Sequence, residues 1–180
     1  ELSSIGPLIV LPNHQSNLDS PTIGYGINLL GLPAMTYGAG INLFTLPWLS
    51  KKMNQLGAYK VDRRKKNAIY LEVLKSYSSV CLARGVHSLF FPEGTRSRSG
   101  TLSNKLKLGL LGTAVQTQKD YVLDEGQYNR PVIIVPVSIN YSFTLEAESL
   151  IDQHLKKQGR EQYIKEASVT ATSYRLLSIL

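Results

Sequence analysis

The sequence predicts an α/β fold: a mostly parallel central sheet flanked by helices. Three observations carry this. Short apolar runs alternate with longer stretches of helical period. One run, "PLIVLP" at 7–12, is continuously apolar, as a strand covered on both faces must be. The polar clusters fall where strand-like runs end, which is where ligands gather in open α/β sheets.

In chain order, 7–12 reads as the first strand. The segment "SPTIGYGINLL" follows as a helix, with Asp19 or Ser20 as N-cap and Pro21 in the first turn. "PAMTYGA" (33–39) reads as a strand, "LFTLPWLSKKMNQL" (43–56) as a helix interrupted by Pro47, and "GAYKV" (57–61) as a short strand. Residues 66–84 carry the clearest helical period, with Tyr70, Val73, Leu74, Tyr77 and Cys81 as the expected apolar stripe and Gly85 as the stop. "VHSLFFP" (86–92) is a strand, 106–118 a helix, "KDYVLDEGQYN" a polar loop, and "RPVIIVPVSINY" (130–141) a strand rich in β-branched residues. The expectation is one α/β domain over 1–180, with a core at 7–141 and a charged helical tail at 144–180. The chain starts at Glu1 and stops at "YRLLSIL", which reads as a piece of a longer protein.

Composition narrows the function. The 180 residues carry 20 Lys+Arg against 13 Asp+Glu, a formal charge of +7, which suits anionic partners or simple solubility. The single cysteine, Cys81, excludes an internal disulfide framework and any Cys-rich zinc site, and its flanks suggest a packed thiol. The chain is compatible with a reducing compartment. No apolar stretch approaches the roughly 20 residues that a bilayer span needs.

Three polar clusters sit at expected strand ends: 14–19, 59–66 and 93–98. In "NHQSNLD", His14 and Asp19 lie five apart, and residues so spaced on a continuous helix would point about 140° apart. Contact between them requires a turn, with His14 at the strand end and Asp19 at the helix start. An aspartate bonded to one imidazole nitrogen fixes the tautomer and leaves the other nitrogen able to take a proton. The alternative is a helix-capping aspartate beside an ordinary loop histidine. Arg63 and Arg64 follow the strand in "GAYKVDRRKK", while "FPEGTRSRSG" sets Arg96 and Arg98 at alternate positions beyond a glycine turn. Arginine forks grip phosphate bidentately, and the N–H groups of Gly94 and Thr95 are positioned to join them. Solvated basic loops are the competing reading. Glu93 is expected to hold an arginine or the loop backbone. There is no G-x-S-x-G, no metal-ligand spacing and no nucleotide-binding glycine motif. His87 reads as structural and His154 as solvated. No nucleic-acid partner is expected, since no such module pattern occurs and the aromatics do not interleave with the charges.

Taken together, these residues resemble the glycerolipid acyltransferase family across roughly 7–141. Its four blocks occur in order: His14 and Asp19 as H-x4-D, Gly57 to Arg63 in "GAYKVDR", Glu93, Gly94, Thr95, Arg96, Ser97 and Arg98 as E-G-T-R-S-R, and "IIVPVSI" around Pro136. The segments "AGINLFTLPWLSKKMNQLGAY" and "SGTLSNKL" bring the resemblance closer to glycerol-3-phosphate acyltransferases. Thr95 within the third block and Asp62 before Arg63 follow the lysophosphatidate acyltransferase pattern instead.

The resemblance implies an acyltransferase moving a fatty acyl group from acyl-CoA or acyl-carrier protein to a phosphorylated glycerol acceptor. It implies His14 as general base and Asp19 as its orienting carboxylate. Arg63, Glu93, Gly94, Thr95, Arg96, Arg98 and Lys107 become the substrate phosphate-binding set. No cofactor or metal is implied beyond the acyl thioester co-substrate. Because the chemistry is lipidic, a membrane surface at the cytoplasmic face is the expected location. "PWLSKKMNQLGAYKVDRRKK", with Trp48 among basic side chains, is the candidate contact.

Overall fold

The computed structural model describes residues 1–16, 18–94, 106–123 and 130–142, with further helical positions at 147, 151, 152, 154 and 155. After a short helix α1 (Leu2–Ile5), the strands are β1 (Leu8–Pro12), β2 (Tyr37–Gly40), β3 (Ala58–Val61), β4 (Ser88–Leu89) and β5 (Ile133–Val137). The longer helices are α2 (Asp19–Leu29), α3 (Pro47–Gln55), α4 (Ala68–Ala83) and α5 (Gly109–Leu123). A 3₁₀ turn, Ile41–Phe44, precedes α3.

Strands β4, β1 and β5 form a parallel sheet in that order, and β2 and β3 form a parallel pair. A parallel bridge between Thr36 and Ser88 joins the two. There the Thr36 N–H donates to the His87 carbonyl (2.9 Å) and the Leu89 N–H to the Thr36 carbonyl (2.9 Å). The running order is therefore β3-β2-β4-β1-β5, all parallel. Every strand end on which chemistry was expected lies along one edge of this sheet.

The core follows from the two-residue side-chain period of β1. Leu8 and Val10 face one layer with Ile27, Met35 and Leu89, while Ile9 faces the other with Leu82, Phe90 and Ala114. Covered on both sides, β1 has no place for a polar residue until Asn13. Each fully buried Leu or Ile contributes about 1.5–3 kcal/mol. Among the described residues strand β5 pairs only with β1 and lies at the edge, so Pro136, which lacks an N–H, sits there without breaking a ladder.

His87 is structural, as expected. Its Nδ1 accepts the Leu8 N–H at 3.0 Å, which puts its proton on Nε2, and burial pushes its pKa down.

Several local expectations are corrected. Helix α2 has Leu18 in the cap position and no side-chain cap; Asp19 is the first helical residue and turns its carboxylate back onto the preceding loop. Pro47 does not interrupt α3 but starts it, because its fixed φ and missing N–H suit the first turn. Helix α4 starts after Asn67, whose side chain accepts the Ile69 N–H at 2.8 Å.

The buried residues of α4 are Ser78 and Leu82, whereas Val73 is 60% and Tyr77 45% exposed. Small residues mark the approach of α5: the Thr113 hydroxyl lies 3.1 Å from that of Ser78, so the helix presents hydroxyls rather than the expected stripe. Helix α5 extends to Leu123, taking in the first half of the expected polar loop. Its Gln118 accepts the Val132 N–H at 2.7 Å, so the helix also steers the chain into β5. His154 is half-buried rather than solvated, and most of the tail lies outside the described residues.

Candidate active site

The loop after β1 turns because Asp19 gathers it. Its Oδ2 accepts the N–H groups of Gln15 (2.7 Å) and Ser16 (2.8 Å) and lies 2.9 Å from His14 Nδ1. Its Oδ1 accepts the Tyr141 hydroxyl at 2.8 Å. Asp19 is only 1% exposed, and a carboxylate so buried persists only when every lone pair is served. Burial alone raises its pKa, but the bonds from His14, Ser16, Tyr141 and Gln15 outweigh this and hold it below 3.8. The carboxylate therefore stays charged at neutral pH.

A charged, acceptor-only carboxylate makes His14 Nδ1 the donor, so Nε2 of the neutral ring carries the lone pair. Phe91, just past β4, stacks on the imidazole with centroids 4.1 Å apart and planes 24° apart. The side chain of His14 remains 17% exposed while Asp19 is sealed. This is how a general base and its orienting group are arranged.

Asn13 fixes the neighbouring strand ends. Its Oδ1 accepts the Ile139 N–H (2.6 Å) and its Nδ2 donates to the Ile139 carbonyl (3.1 Å), extending the β1–β5 pairing past Pro12. That clamp brings Tyr141 over α2, where its phenol oxygen also lies 3.4 Å from the Thr22 hydroxyl. Burial, together with the Asp19 charge, pushes the Tyr141 pKa up to about 12, so the phenol remains a donor.

Past β4, the turn at Phe91–Gly94 closes by a bond from the Gly94 N–H to the Phe91 carbonyl (2.9 Å). The Gly94 N–H is thus committed to the turn and not open to phosphate, which corrects the sequence expectation. Gly94 has φ +69, and a Cβ there would come 2.5 Å from Lys107 Cδ. The glycine supplies both the left-handed turn and the lane along which Lys107 lies. Lys107 is anchored by its own N–H to the Pro92 carbonyl at 2.7 Å.

Glu93 is buried, and its Oε2 has no hydrogen-bond partner; it holds no arginine among the described residues. Arg63 is exposed at the end of β3, three strand spacings from β1, or roughly 14 Å along the edge. Its neighbour Arg64 is tied by Nε and a terminal nitrogen to Asp62 at 3.0 and 3.2 Å. Thr95, Arg96 and Arg98 lie outside the described residues.

The structure thus brings His14, Asp19, Glu93, Gly94 and Lys107 to the β1–β4 stretch of the edge and leaves Arg63 at its far end. Among the described residues, no group of three His, Cys, Asp or Glu could hold a metal ion. Sequence reasoning missed Asn13, Phe91 and Tyr141. Asn13 adjoins His14 and could have been weighed as a turn clamp, whereas Tyr141 lies 122 positions from Asp19 and gives no local signal.

The Acyltransferase family matches residues 1–140. The chain belongs to that family. It is 33% identical over 156 residues to the glycerol-3-phosphate acyltransferase of Alteromonas mediterranea, spanning 85% of this chain and 18% of that protein. It is 32% identical over 156 residues to the glycerol-3-phosphate acyltransferase of Xylella fastidiosa strain M23, spanning 85% and 17% respectively. The chain therefore covers less than a fifth of the length of these relatives. A crystal structure of the 1-acyl-sn-glycerophosphate acyltransferase of Thermotoga maritima aligns with a TM-score of 0.48 at 21% identity, covering 89% of this chain and 69% of that one.

The Asp19 geometry predicts a signature in stability. A folded-state pKa below 3.8 contributes stability that is fully present above 3.8 and is lost as pH falls through the folded value. Asp19→Asn should destabilise the protein by about 2–3 kcal/mol at pH 7, because two backbone donors and His14 then face an amide. Urea unfolding across pH 2–7 should show the gap between variant and wild type narrowing below about pH 4. A gap that does not change with pH would contradict the charged, four-donor carboxylate.

Proposed function

We propose that this chain catalyses transfer of a fatty acyl group from acyl-CoA or acyl-carrier protein to the hydroxyl of glycerol 3-phosphate, in phospholipid synthesis. The observation that carries the reading is the 2.9 Å contact of His14 Nδ1 with the sealed Asp19, which leaves the lone pair on Nε2 of a side chain that is 17% exposed. Membership of the Acyltransferase family and the names of the relatives support the reaction type and the acceptor.

Nε2 takes the proton from the acceptor hydroxyl as its oxygen attacks the thioester carbonyl. The carbon–sulfur bond then breaks, and the leaving thiolate recovers the proton from the imidazolium. Asp19 stabilises the imidazolium and keeps the ring in place; no acyl-enzyme is formed. Arg63, Arg96, Arg98 and Lys107 are assigned to the acceptor phosphate, together with Glu93, Gly94 and Thr95 of the third block. Lysophosphatidate is the second acceptor reading, favoured by Thr95 in the third block and by Asp62, which holds Arg64 beside Arg63.

The same reading puts the protein on the cytoplasmic face of a membrane, where acyl chains and product partition. Trp48 on α3 is 67% exposed, Leu46 and Leu56 flank that helix, and Lys51, Lys52, Arg63 and Arg64 stand on the same stretch of chain. No helix among the described residues is long and apolar enough to cross a membrane. The exposed Trp48 beside these basic side chains is what assigns the contact to a surface.

Parallel assays with palmitoyl-CoA and glycerol 3-phosphate, lysophosphatidate or dihydroxyacetone phosphate test the reaction. Glycerol 3-phosphate should be the preferred acceptor. His14→Ala should lower turnover by about 10²- to 10⁴-fold, and Arg96→Ala should act mainly on the KM for the phosphorylated acceptor. Near wild-type turnover in His14→Ala would refute the general base, and silence with every acceptor would favour a non-catalytic lipid-binding module. Sedimentation with phosphatidylglycerol vesicles should show binding that weakens as salt rises from 0.05 to about 0.5 M. Binding indifferent to both salt and lipid charge would remove the basic contact from the account.

A further inference from the structure

The His14–Asp19 pair uses only one carboxylate oxygen. Oδ2 takes His14 and the two loop N–H groups, and Oδ1 takes the Tyr141 hydroxyl. The loop bonds come from within four residues of Asp19, whereas Tyr141 reaches it from beyond β5, at a separation of 122. Among the described residues, that phenol is the donor to Oδ1, in a residue only 1% exposed.

We infer that Tyr141 is a positioning residue for the His14 base: it holds the Asp19 oxygen that His14 does not use and so fixes the carboxylate plane from β5. The inference rests on the acyl-transfer reading above. Three contacts make the phenol a built part of the site rather than a passing neighbour. Asn13 clamps the backbone at Ile139, two residues before it, with bonds of 2.6 and 3.1 Å. Thr22, one turn into α2, places its hydroxyl 3.4 Å from the phenol oxygen. The Ser16 hydroxyl, from the loop itself, also interacts with it.

The titratable groups bonded to Asp19 are His14, from the loop after β1, and Tyr141, from the extension of β5. Phe91 covers the imidazole from β4, and the nearest charge in sequence on that segment is Glu93. Tyr141 raised to about 12 by burial and by Asp19 is consistent with a phenol that donates and does not ionise. Losing one donor leaves a more basic carboxylate, which holds the imidazolium proton more tightly and orients the ring less well.

The test is Tyr141→Phe in the intact protein, read by acyl-transfer kinetics from pH 5 to 9. The kcat should fall about tenfold, as expected for losing a hydrogen bond to a charged group. The KM for the phosphorylated acceptor should stay within about twofold, and the acid limb of kcat/KM should move to higher pH. Replacing Tyr141 by a ring-fluorinated tyrosine keeps the shape and strengthens the donor, so that limb should move to lower pH; this arm holds if Tyr141→Phe folds poorly. A loss confined to thermal stability or to KM, with the acid limb unmoved in both variants, overturns the inference. If wild type transfers no acyl group to any acceptor, it is the proposed function that fails. The His14 Nδ1–H proton resonance then decides separately, and an identical resonance in wild type and Tyr141→Phe overturns the positioning role.

Discussion

A single buried charge organises this end of the molecule. The Asp19 carboxylate is sealed from water and, among the described residues, accepts four hydrogen bonds: two from backbone N–H groups of its loop, one from His14 and one from Tyr141. An unpaired carboxylate at that depth would cost several kcal/mol and would take up a proton instead. The donors are therefore a condition for the charge, and the charge is a condition for the loop. It also links three elements: the loop ending β1, the first turn of α2 and the chain leaving β5.

The parallel sheet determines where that charge can act. With all five strands among the described residues running the same way, the loops that follow them share an edge, so residues far apart in sequence become neighbours by topology alone. Because β1 lies inside the sheet and is apolar on both faces, the first residues after it are the earliest polar positions available to the strand. Phe91 carries the packing of β4 onto the imidazole, and Gly94 gives Lys107 its lane beside the same turn. Rigid strands thus aim side chains that a mobile loop would leave scattered.

How much of this was legible in the sequence depended on the range of the interaction. The strand order of polarity, the glycine turns and the His14–Asp19 turn are written within a few residues, and they were readable from spacing. The cap of α2 was misread because Asp19 looks like a capping residue, yet its carboxylate serves the loop before the helix. The face of α4 was misread because periodicity counts apolar residues, while the neighbouring helix selects small hydroxyl-bearing ones at the crossing. Tyr141 and the Asn13 clamp depend on β5 lying beside β1, a tertiary fact with no local trace. The family resemblance suggested roles for His14 and Asp19 and said nothing of the residues that hold them.

The two described histidines of the sheet illustrate how hydrogen bonds choose chemistry. His87 Nδ1 accepts a backbone N–H, which puts its proton on Nε2 and makes it a silent strut. His14 Nδ1 faces a charged carboxylate, which puts its proton on Nδ1 and leaves the lone pair on Nε2. Nitrogen NMR on histidine-labelled protein, at a pH where imidazoles are neutral, tests this most directly. The account predicts that His14 shows a protonated Nδ1 and a bare Nε2, while His87 shows the opposite tautomer. A protonated Nε2 on His14 would contradict it, because that nitrogen would have no lone pair with which to take the acceptor's proton.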